Sequence, residues 1–289
     1  MKKWIIHKWK VLKSTFINKI LVPRYLKRKA NDEVLKKIEL SSCVFVTIAF
    51  NNAELIKRQI ENLLENCEGT YLHLIVDNSN KKMDGEIEDV CNMHSHVVYV
   101  RQPSAMKLGA YDHSVALNWA CYQILEKVHI NNLKIVFLDH DIFLMKKIEF
   151  ESIFHGGQKV WGYSCRHEPQ KKGWYLWPGL FAIDCTQFES KVHFDFMSSQ
   201  LYGDTGSMNY ETIFCKLNKS ELAFSDRKNL RIMPGEKALE NDNQKNLVQI
   251  FDDTWMHIIG GSNWAKSENF DEKLKRAFAL IEANDVEPD

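Results

Sequence analysis

Segments typical of strands alternate with segments typical of helices in the first half of the sequence, and this alternation constrains the fold more than any other feature. β-branched and aromatic runs predict four strands, at Cys43–Phe50, Tyr71–Val76, His96–Val100 and Lys134–Leu138. Apolar residues at helical spacing predict two helices, one that follows Asn51 and ends near Cys67 and one over roughly residues 110–128. Because strands joined through helices form right-handed crossovers, we predict an α/β fold with a mostly parallel sheet.

Polar residues follow three of the predicted strands. Asn51 follows the first, Asp77 the second, and Asp139-His140-Asp141 the fourth. In open parallel sheets, ligands bind beyond the carboxyl ends of the strands. The three strand ends therefore predict one shared ligand site.

The spacing of Asp139 and Asp141 suits a metal ion. Positions two apart in an extended chain point to the same side, so both carboxylates can face one site. Two carboxylates with open coordination positions suit Mg²⁺ or Mn²⁺ that bridges a diphosphate. A polar turn that ends a strand is the alternative interpretation.

Three runs of sequence, VTIAFNNAELIKRQIENLL, LIVDNSN and FLDHD, resemble the nucleotide-binding half of GT-A glycosyltransferases, closest in style to the family 2-like bacterial enzymes. The resemblance covers residues 43–145 and, more loosely, the remainder. It implies a GT-A fold, a nucleotide-sugar donor and a Mn²⁺ or Mg²⁺ cofactor, with Asp139 and Asp141 on the metal. The donor-binding residues that it implies are Ala49, Phe50, Asn51, Asp77, Lys107, Gly109, Asp139 and His140. Asn78 stands where the family often has a second aspartate, which leaves the donor nucleotide open.

Two residues of the second half are further candidates by analogy with the same family. Asp204 precedes a predicted helix, where an acidic residue can take the proton of an acceptor hydroxyl, although it can also simply cap that helix. His257 matches the late histidine that completes the metal site in some GT-A enzymes, although a core histidine held by one hydrogen bond is equally compatible. A late histidine also fits a retaining enzyme, in which Asp204 would have no base role.

The segment GWYLWPGLFAID predicts an acceptor-binding loop. Exposed tryptophan rings stack on sugars, so Trp174, Trp177 and Gly179 are candidate acceptor-binding residues. An aromatic wedge in the core is the alternative interpretation.

The N-terminal arm is strongly basic. The first 31 residues contain ten Lys or Arg and no acidic residue, so the rest of the chain holds 28 basic and 38 acidic residues. An apolar stripe of the arm suits either an anionic membrane or the protein's own core. We expect peripheral contact of residues 1–30 with the inner face of the cell membrane and a cytoplasmic location, because no membrane span or signal peptide is evident. The acidic body argues against nucleic acid as a partner.

The predicted organisation is a basic helical arm at residues 1–40 and a GT-A domain at residues 41–289, with a nucleotide-sugar-binding half at 41–145 and an irregular acceptor-binding half at 146–289. The seven cysteines form no CxxC pair, which argues against a disulfide framework or a zinc site. We expect a metal-dependent transferase that moves sugar from a nucleotide-diphosphate donor, with UDP-sugar favoured, to a glycan or lipid-linked saccharide in surface polysaccharide biosynthesis. The alternatives are a sugar nucleotidyltransferase, which usually has a glycine-rich basic loop that AFNNAE lacks, and a membrane-associated carbohydrate-binding protein without catalysis.

Overall fold

The computed structural model describes residues 22–79, 85–102, 111–154, 157–165, 173–199, 202–232, 247–259 and 270–284. Its α-helices are α1 Val22–Leu26, α2 Asp32–Glu39, α3 Ala53–Asn66, α4 Glu86–Asn92, α5 Tyr111–Gln123, α6 Asn209–Thr212 and α7 Phe270–Asn284. Its strands are β1 Cys43–Ala49, β2 Cys67–Glu68, β3 Leu72–Asp77, β4 Val97–Arg101, β5 Lys134–Asp139, β6 Ile142–Leu144, β7 Ile148–Glu149, β8 Val160–Cys165, β9 Tyr175–Asp184, β10 Leu222–Phe224, β11 Arg227–Arg231, β12 Leu247–Phe251 and β13 Trp255–His257.

The central sheet is mostly parallel, which confirms the predicted α/β class. In the part of the chain that the structure describes, it has seven strands in the order β10-β8-β9-β5-β1-β3-β4. The strands β5, β1, β3 and β4 are parallel, and β9 is antiparallel to both of its neighbours. The four parallel strands lie within one residue of the predicted bounds at each end, because a strand buried on both faces is a continuous apolar run.

The register brings the polar strand ends to one edge. Ala49 pairs with Asp77, Asp77 pairs with Arg101, and Ile48 pairs with Asp139. The convergence predicted from the sequence is therefore confirmed as a property of the sheet.

A second, antiparallel sheet lies next to this edge. Among the described residues it contains β11, β12, β13 and β6 in that order. The helix α7 packs on this sheet, and the two form an apolar cluster. Its buried side chains include Phe143, Met256, Leu274, Ala277 and Ile281. The region beyond residue 150 thus shares this apolar cluster with residues of the first half, such as Leu55 and Phe143.

The two N-terminal helices pack on the body of the protein. Val22 and Tyr25 are buried in the main core, and the Trp119 indole of α5 donates a hydrogen bond of 2.7 Å to the carbonyl of Arg28. Residues 1–21 lie outside the described part of the chain, and membrane contact by the arm and a boundary at residue 40 stay predictions. No helix among the described residues has the length and apolarity that a membrane span requires.

His73 is fully buried in the centre of the sheet. Its Nε2 lies 3.0 Å from the Thr47 hydroxyl oxygen, while burial, with a smaller contribution from His96, lowers the pKa of His73 to about 3. The unfolded chain binds a proton at this side chain near pH 6.5, whereas the folded protein does not.

Stability should therefore fall as the pH drops below 6.5, by up to about 1.4 kcal/mol per pH unit for this one proton. His73→Gln keeps a donor for Thr47 but cannot titrate, so its free energy of unfolding should depend less on pH between 6.5 and 4.5. Urea unfolding at several pH values measures the two slopes, and the exposed His193→Gln variant is the control. Equal slopes for wild type and His73→Gln would contradict the prediction.

Candidate functional site

Two short strands bring a carboxylate and a histidine together. β6 begins directly after Asp141, and β13 pairs with it so that His257 lies opposite Ile142. The Ile258 amide donates to the Asp141 carbonyl over 2.9 Å, which continues this pairing. As a result, His257 Nε2 lies 3.5 Å from Asp141 Oδ1, and both side chains are largely buried.

The neighbouring strand determines which ring nitrogen of His257 carries the proton. Gln249 lies opposite His257 in the β12–β13 pair, and its Oε1 is 2.9 Å from His257 Nδ1. Because an amide oxygen only accepts hydrogen bonds, Nδ1 donates, and the neutral ring has its lone pair on Nε2, facing the carboxylate. A cation between the two groups would stabilise both.

The donor set therefore fits a divalent metal. An imidazole whose other nitrogen is fixed by a hydrogen bond is a common arrangement in metal sites. The nitrogen ligand favours Mn²⁺ over Mg²⁺, which prefers oxygen. No group of three or more His, Cys, Asp or Glu that could hold a metal occurs among the described residues, so further ligands would have to come from elsewhere.

Asp139 lies beside a histidine that the sequence analysis missed. His113 Nε2, in the first turn of α5, is 3.4 Å from Asp139 Oδ1. Which face of α5 points to the strand ends depends on helix packing, so no local sequence signal identified His113.

The strand β9 extends past the end of β5 and forms a wall over the carboxylates. Its last pair with β5 is Leu180 with Leu138, so Tyr175–Gly179, the projecting half of β9, continue past the end of β5. Within this half, Tyr175 and Leu176 still pair with β8. A Cβ on Gly179 would lie 2.6 Å from Asp139 Oδ2 and would also collide with the Trp177 ring. The Trp177 ring centre is 4.7 Å from that of His257. Two of the three predicted acceptor-binding residues, Trp177 and Gly179, thus adjoin the carboxylate site.

The third, Trp174, packs against the main core. Its ring stacks on Phe214 at 5.4 Å and contacts Phe224 edge-on at 5.3 Å. Its acceptor role stays a prediction.

Asp204 is exposed, in a loop beside the projecting half of β9. A Cβ on Gly206 would lie 3.3 Å from Pro178, and the Thr205 hydroxyl is 3.0 Å from that of Ser114 on α5. Burial, followed by Cys165 and Asp204, raises the pKa of Tyr175 above its ordinary value. The loop thus flanks the space above the strand ends.

Asp77 is buried and has several hydrogen-bond partners. Oδ1 accepts from the Ser79 amide at 2.8 Å, while Oδ2 accepts from the Tyr99 hydroxyl at 3.0 Å and is paired with Arg101. Arg101 also donates to the Ser79 carbonyl at 2.8 Å. The carboxylate thus holds a guanidinium at the strand-end edge, and its contact with a base stays a prediction.

The remaining predicted donor residues divide into three groups. Ala49 is buried, Phe50 is half-buried, and Asn51 has a φ of 52°, with its amide donating to the Ser79 hydroxyl at 2.6 Å. His140 is largely buried, and its Nε2 has no hydrogen-bond partner among the described residues. Lys107 and Gly109 lie outside the described part of the chain.

The helix α7 adds a cation that the sequence analysis missed. Lys273 is 3% exposed, and its Nζ donates to the Ile259 carbonyl at 3.4 Å. Burial lowers the pKa of Lys273 to about 7, and the attraction of Asp141 opposes this shift. A lysine in the sequence of an amphipathic helix is usually solvated, so only the packing of α7 identifies it.

Comparisons with known proteins give distant structural likenesses. No family model matches the sequence, and no curated protein matches it. An active-site variant of LgtC is 11% identical, with 82% of this chain and 95% of that chain covered at a TM-score of 0.45. The galactosyltransferase LgtC in complex with donor and acceptor sugar analogs is 13% identical, with 63% and 73% covered at 0.41. The mannosyltransferase PcManGT from Pyrobaculum calidifontis, in complex with GDP-Man and Mn²⁺, is 12% identical, with 74% and 64% covered at 0.39.

All three TM-scores are below 0.5, so these likenesses assign no activity to this chain. Membership of family 2 stays a prediction.

Gly179→Ala should disturb this site directly, because the added Cβ forces Asp139 and Trp177 aside. We expect a loss of stability of about 1–3 kcal/mol from overpacking and at least a tenfold loss of Mn²⁺ affinity. Gly162→Ala, on β8, is the matched control. Its added Cβ would lie 2.6 Å from the Cβ of Phe181, which is on β9, the strand that also holds Gly179. The Gly162→Ala variant should lose stability and keep Mn²⁺ affinity. Calorimetry and thermal unfolding measure both, and wild-type Mn²⁺ affinity in Gly179→Ala would contradict the prediction.

Proposed function

We propose that this chain is a metal-dependent glycosyltransferase that moves a sugar from a nucleotide-diphosphate donor to a glycan or lipid-linked saccharide. The observation that carries the proposal is the Asp141–His257 pair, in which His257 Nε2 faces the carboxylate at 3.5 Å while Nδ1 is bonded to Gln249. This pair lies at the carboxyl edge of a parallel sheet, where nucleotides bind in folds of this class.

Asp141 and His257 would hold the divalent metal, and the unassigned coordination positions suit donor oxygens and water. When bound, the metal supplies positive charge that stabilises the diphosphate leaving group as the glycosidic bond breaks. Asp139 would be a further ligand of the metal, and it has His113 on one side and Gly179 on the other. Lys273, when protonated, would add positive charge near Asp141, and burial opposes this by lowering the pKa of Lys273 to about 7.

The donor nucleotide would lie along the ends of β1, β3 and β4. Ala49, Phe50 and Asn51 would line the base and ribose, and Asp77 with Arg101 would form the polar wall. Lys107 and Gly109 would contact the donor from the segment before α5. A UDP-sugar is the favoured donor.

The acceptor would enter along the projecting half of β9. Trp177 offers a ring face beside His257, Gly179 leaves room next to Asp139, and Trp174 would extend the surface. If the reaction inverts the anomeric carbon, Asp204 would receive the proton of the attacking hydroxyl.

Two other functions have different outcomes in the same assays. A sugar nucleotidyltransferase would release pyrophosphate from a nucleoside triphosphate and a sugar phosphate. A carbohydrate-binding protein of the same fold would show no metal-dependent hydrolysis of the donor. Surface polysaccharide synthesis at the cytoplasmic face of a membrane remains the proposed setting.

Titration of UDP and of GDP into the protein with Mn²⁺, and again with EDTA, tests the proposal by calorimetry. One nucleotide should bind with Mn²⁺ and at least tenfold more weakly without it, which would also identify the donor class. Asp141→Asn should remove the Mn²⁺-dependent gain, whereas Asp32→Asn, a change of an exposed carboxylate on α2, should not. Equal binding with EDTA would contradict the metal, and binding of neither nucleotide would contradict the function.

Asp204→Asn separates the acceptor step from donor binding. If Asp204 is the base, kcat for transfer should fall by about 10²–10⁴-fold, while UDP affinity stays within about twofold because Asp204 is not among the proposed metal-binding or donor-binding residues. Transfer would be measured on an acceptor found by screening saccharides with the wild type. Glu211→Gln, a change of an exposed carboxylate in α6, is the control. An unchanged kcat in Asp204→Asn would remove it from the mechanism.

A further inference from the structure

The helix α3 holds the carboxylate turn with a single buried amide. Gln59 is fully buried, and its Nε2 donates to the carbonyl of Asp139 at 2.8 Å and to that of Ile142 at 2.9 Å. These two carbonyls flank His140 and Asp141. One nitrogen therefore limits the separation of the two ends of the turn to the combined length of two hydrogen bonds.

The orientation of this amide is fixed by its other end. Because the amino group faces both carbonyls, Gln59 Oε1 must face Thr47, whose hydroxyl donates to it at 3.0 Å. The Thr47 oxygen then accepts from Nε2–H of His73 at 3.0 Å. A directed chain of hydrogen bonds thus runs from the centre of the sheet to the turn, and rotation of the Gln59 amide would break several of them.

A second buried amide of α3 provides a comparison. Asn62 accepts from the Leu144 amide at 2.7 Å and donates to the Leu144 carbonyl at 3.0 Å. It binds the far end of β6, three residues beyond Asp141, and does not span the turn. Both side chains are buried amides, but Gln59 joins the two ends of the turn whereas Asn62, among the described residues, bonds only to the backbone of Leu144.

We propose that Gln59 is a positioning residue for the metal site, because it fixes the separation between the carbonyls of Asp139 and Ile142, and Asp141 lies between them. The inference rests on the proposed function, since it takes Asp141, together with His257, as a metal-binding residue. A metal site tolerates errors of only about 0.5 Å in its ligands. Loss of the amide would free both carbonyls and let the turn widen, while the folded sheet persists.

The test compares Gln59→Met with Asn62→Leu, each of which removes a buried amide and keeps its approximate volume. Both should lower the melting temperature to a similar degree. Gln59→Met should weaken Mn²⁺ binding about 10–100-fold, as loss of outer-shell partners does, whereas Asn62→Leu should change it by less than about threefold. Thr47→Val, which leaves the amide present but unoriented, should give an intermediate loss, and it remains informative if Gln59→Met does not fold.

Hydrogen exchange of the metal-free protein separates the inference from the proposed function. Amides at residues 139–142 should exchange faster in Gln59→Met, and in Asn62→Leu the increase should be confined to the region of Leu144. Mn²⁺ affinities that fall equally in both variants, or not at all in Gln59→Met and Thr47→Val, would overturn the positioning role. A wild type that binds neither Mn²⁺ nor nucleotide would overturn the proposed function, whatever the exchange shows.

Discussion

The antiparallel pairing of β13 with β6 is the interaction on which the candidate site depends. It joins a strand that starts directly after Asp141 to one that ends at His257, more than a hundred residues later in the chain. Without this pairing, the carboxylates would remain a polar turn at the end of a strand. The pairing is stabilised by the apolar cluster between the small sheet and α7, so a helix at the end of the described chain contributes to the geometry at its centre.

The candidate site has more carboxylates than lysine and arginine side chains. Asp139, which is half-buried, and Asp141, which is buried, are the two carboxylates of the site, and a buried charge is stable only when it is paired. The buried Lys273 of α7 is near Asp141 but burial lowers its pKa to about 7, and His257 Nε2 faces Asp141 at 3.5 Å. Under the proposed function, this arrangement would bind a divalent cation and, with that cation, an anionic diphosphate.

The sequence predicted the parts of the structure whose causes are local. Buried parallel strands produce long apolar runs and polar ends, so the sheet edge and its carboxylates at Asp139 and Asp141 were evident. The sequence identified His257 as a candidate metal ligand but not its position next to Asp141, because that position depends on the register of two three-residue strands. His113, Gln59 and Lys273 were missed because each lies on a helix, and the face that a helix buries toward a site depends on tertiary packing. Gln59 had one weak signal: it is a polar residue in the apolar stripe formed by Ile56, Ile60 and Leu63.

The interleaving of the two halves has a consequence for how such a protein could diversify. β5, from the first half, pairs with β9 from the second, and β6 pairs with β13. Each sheet is therefore built from both halves, and a cut near residue 145 would sever hydrogen-bonded strands rather than separate modules. Recombination of the two halves between relatives would have to preserve both registers at once. If the proposed acceptor surface along β9 is right, new acceptor specificities would be reached more easily by substitution along β9 and its adjoining loops than by exchange of whole segments.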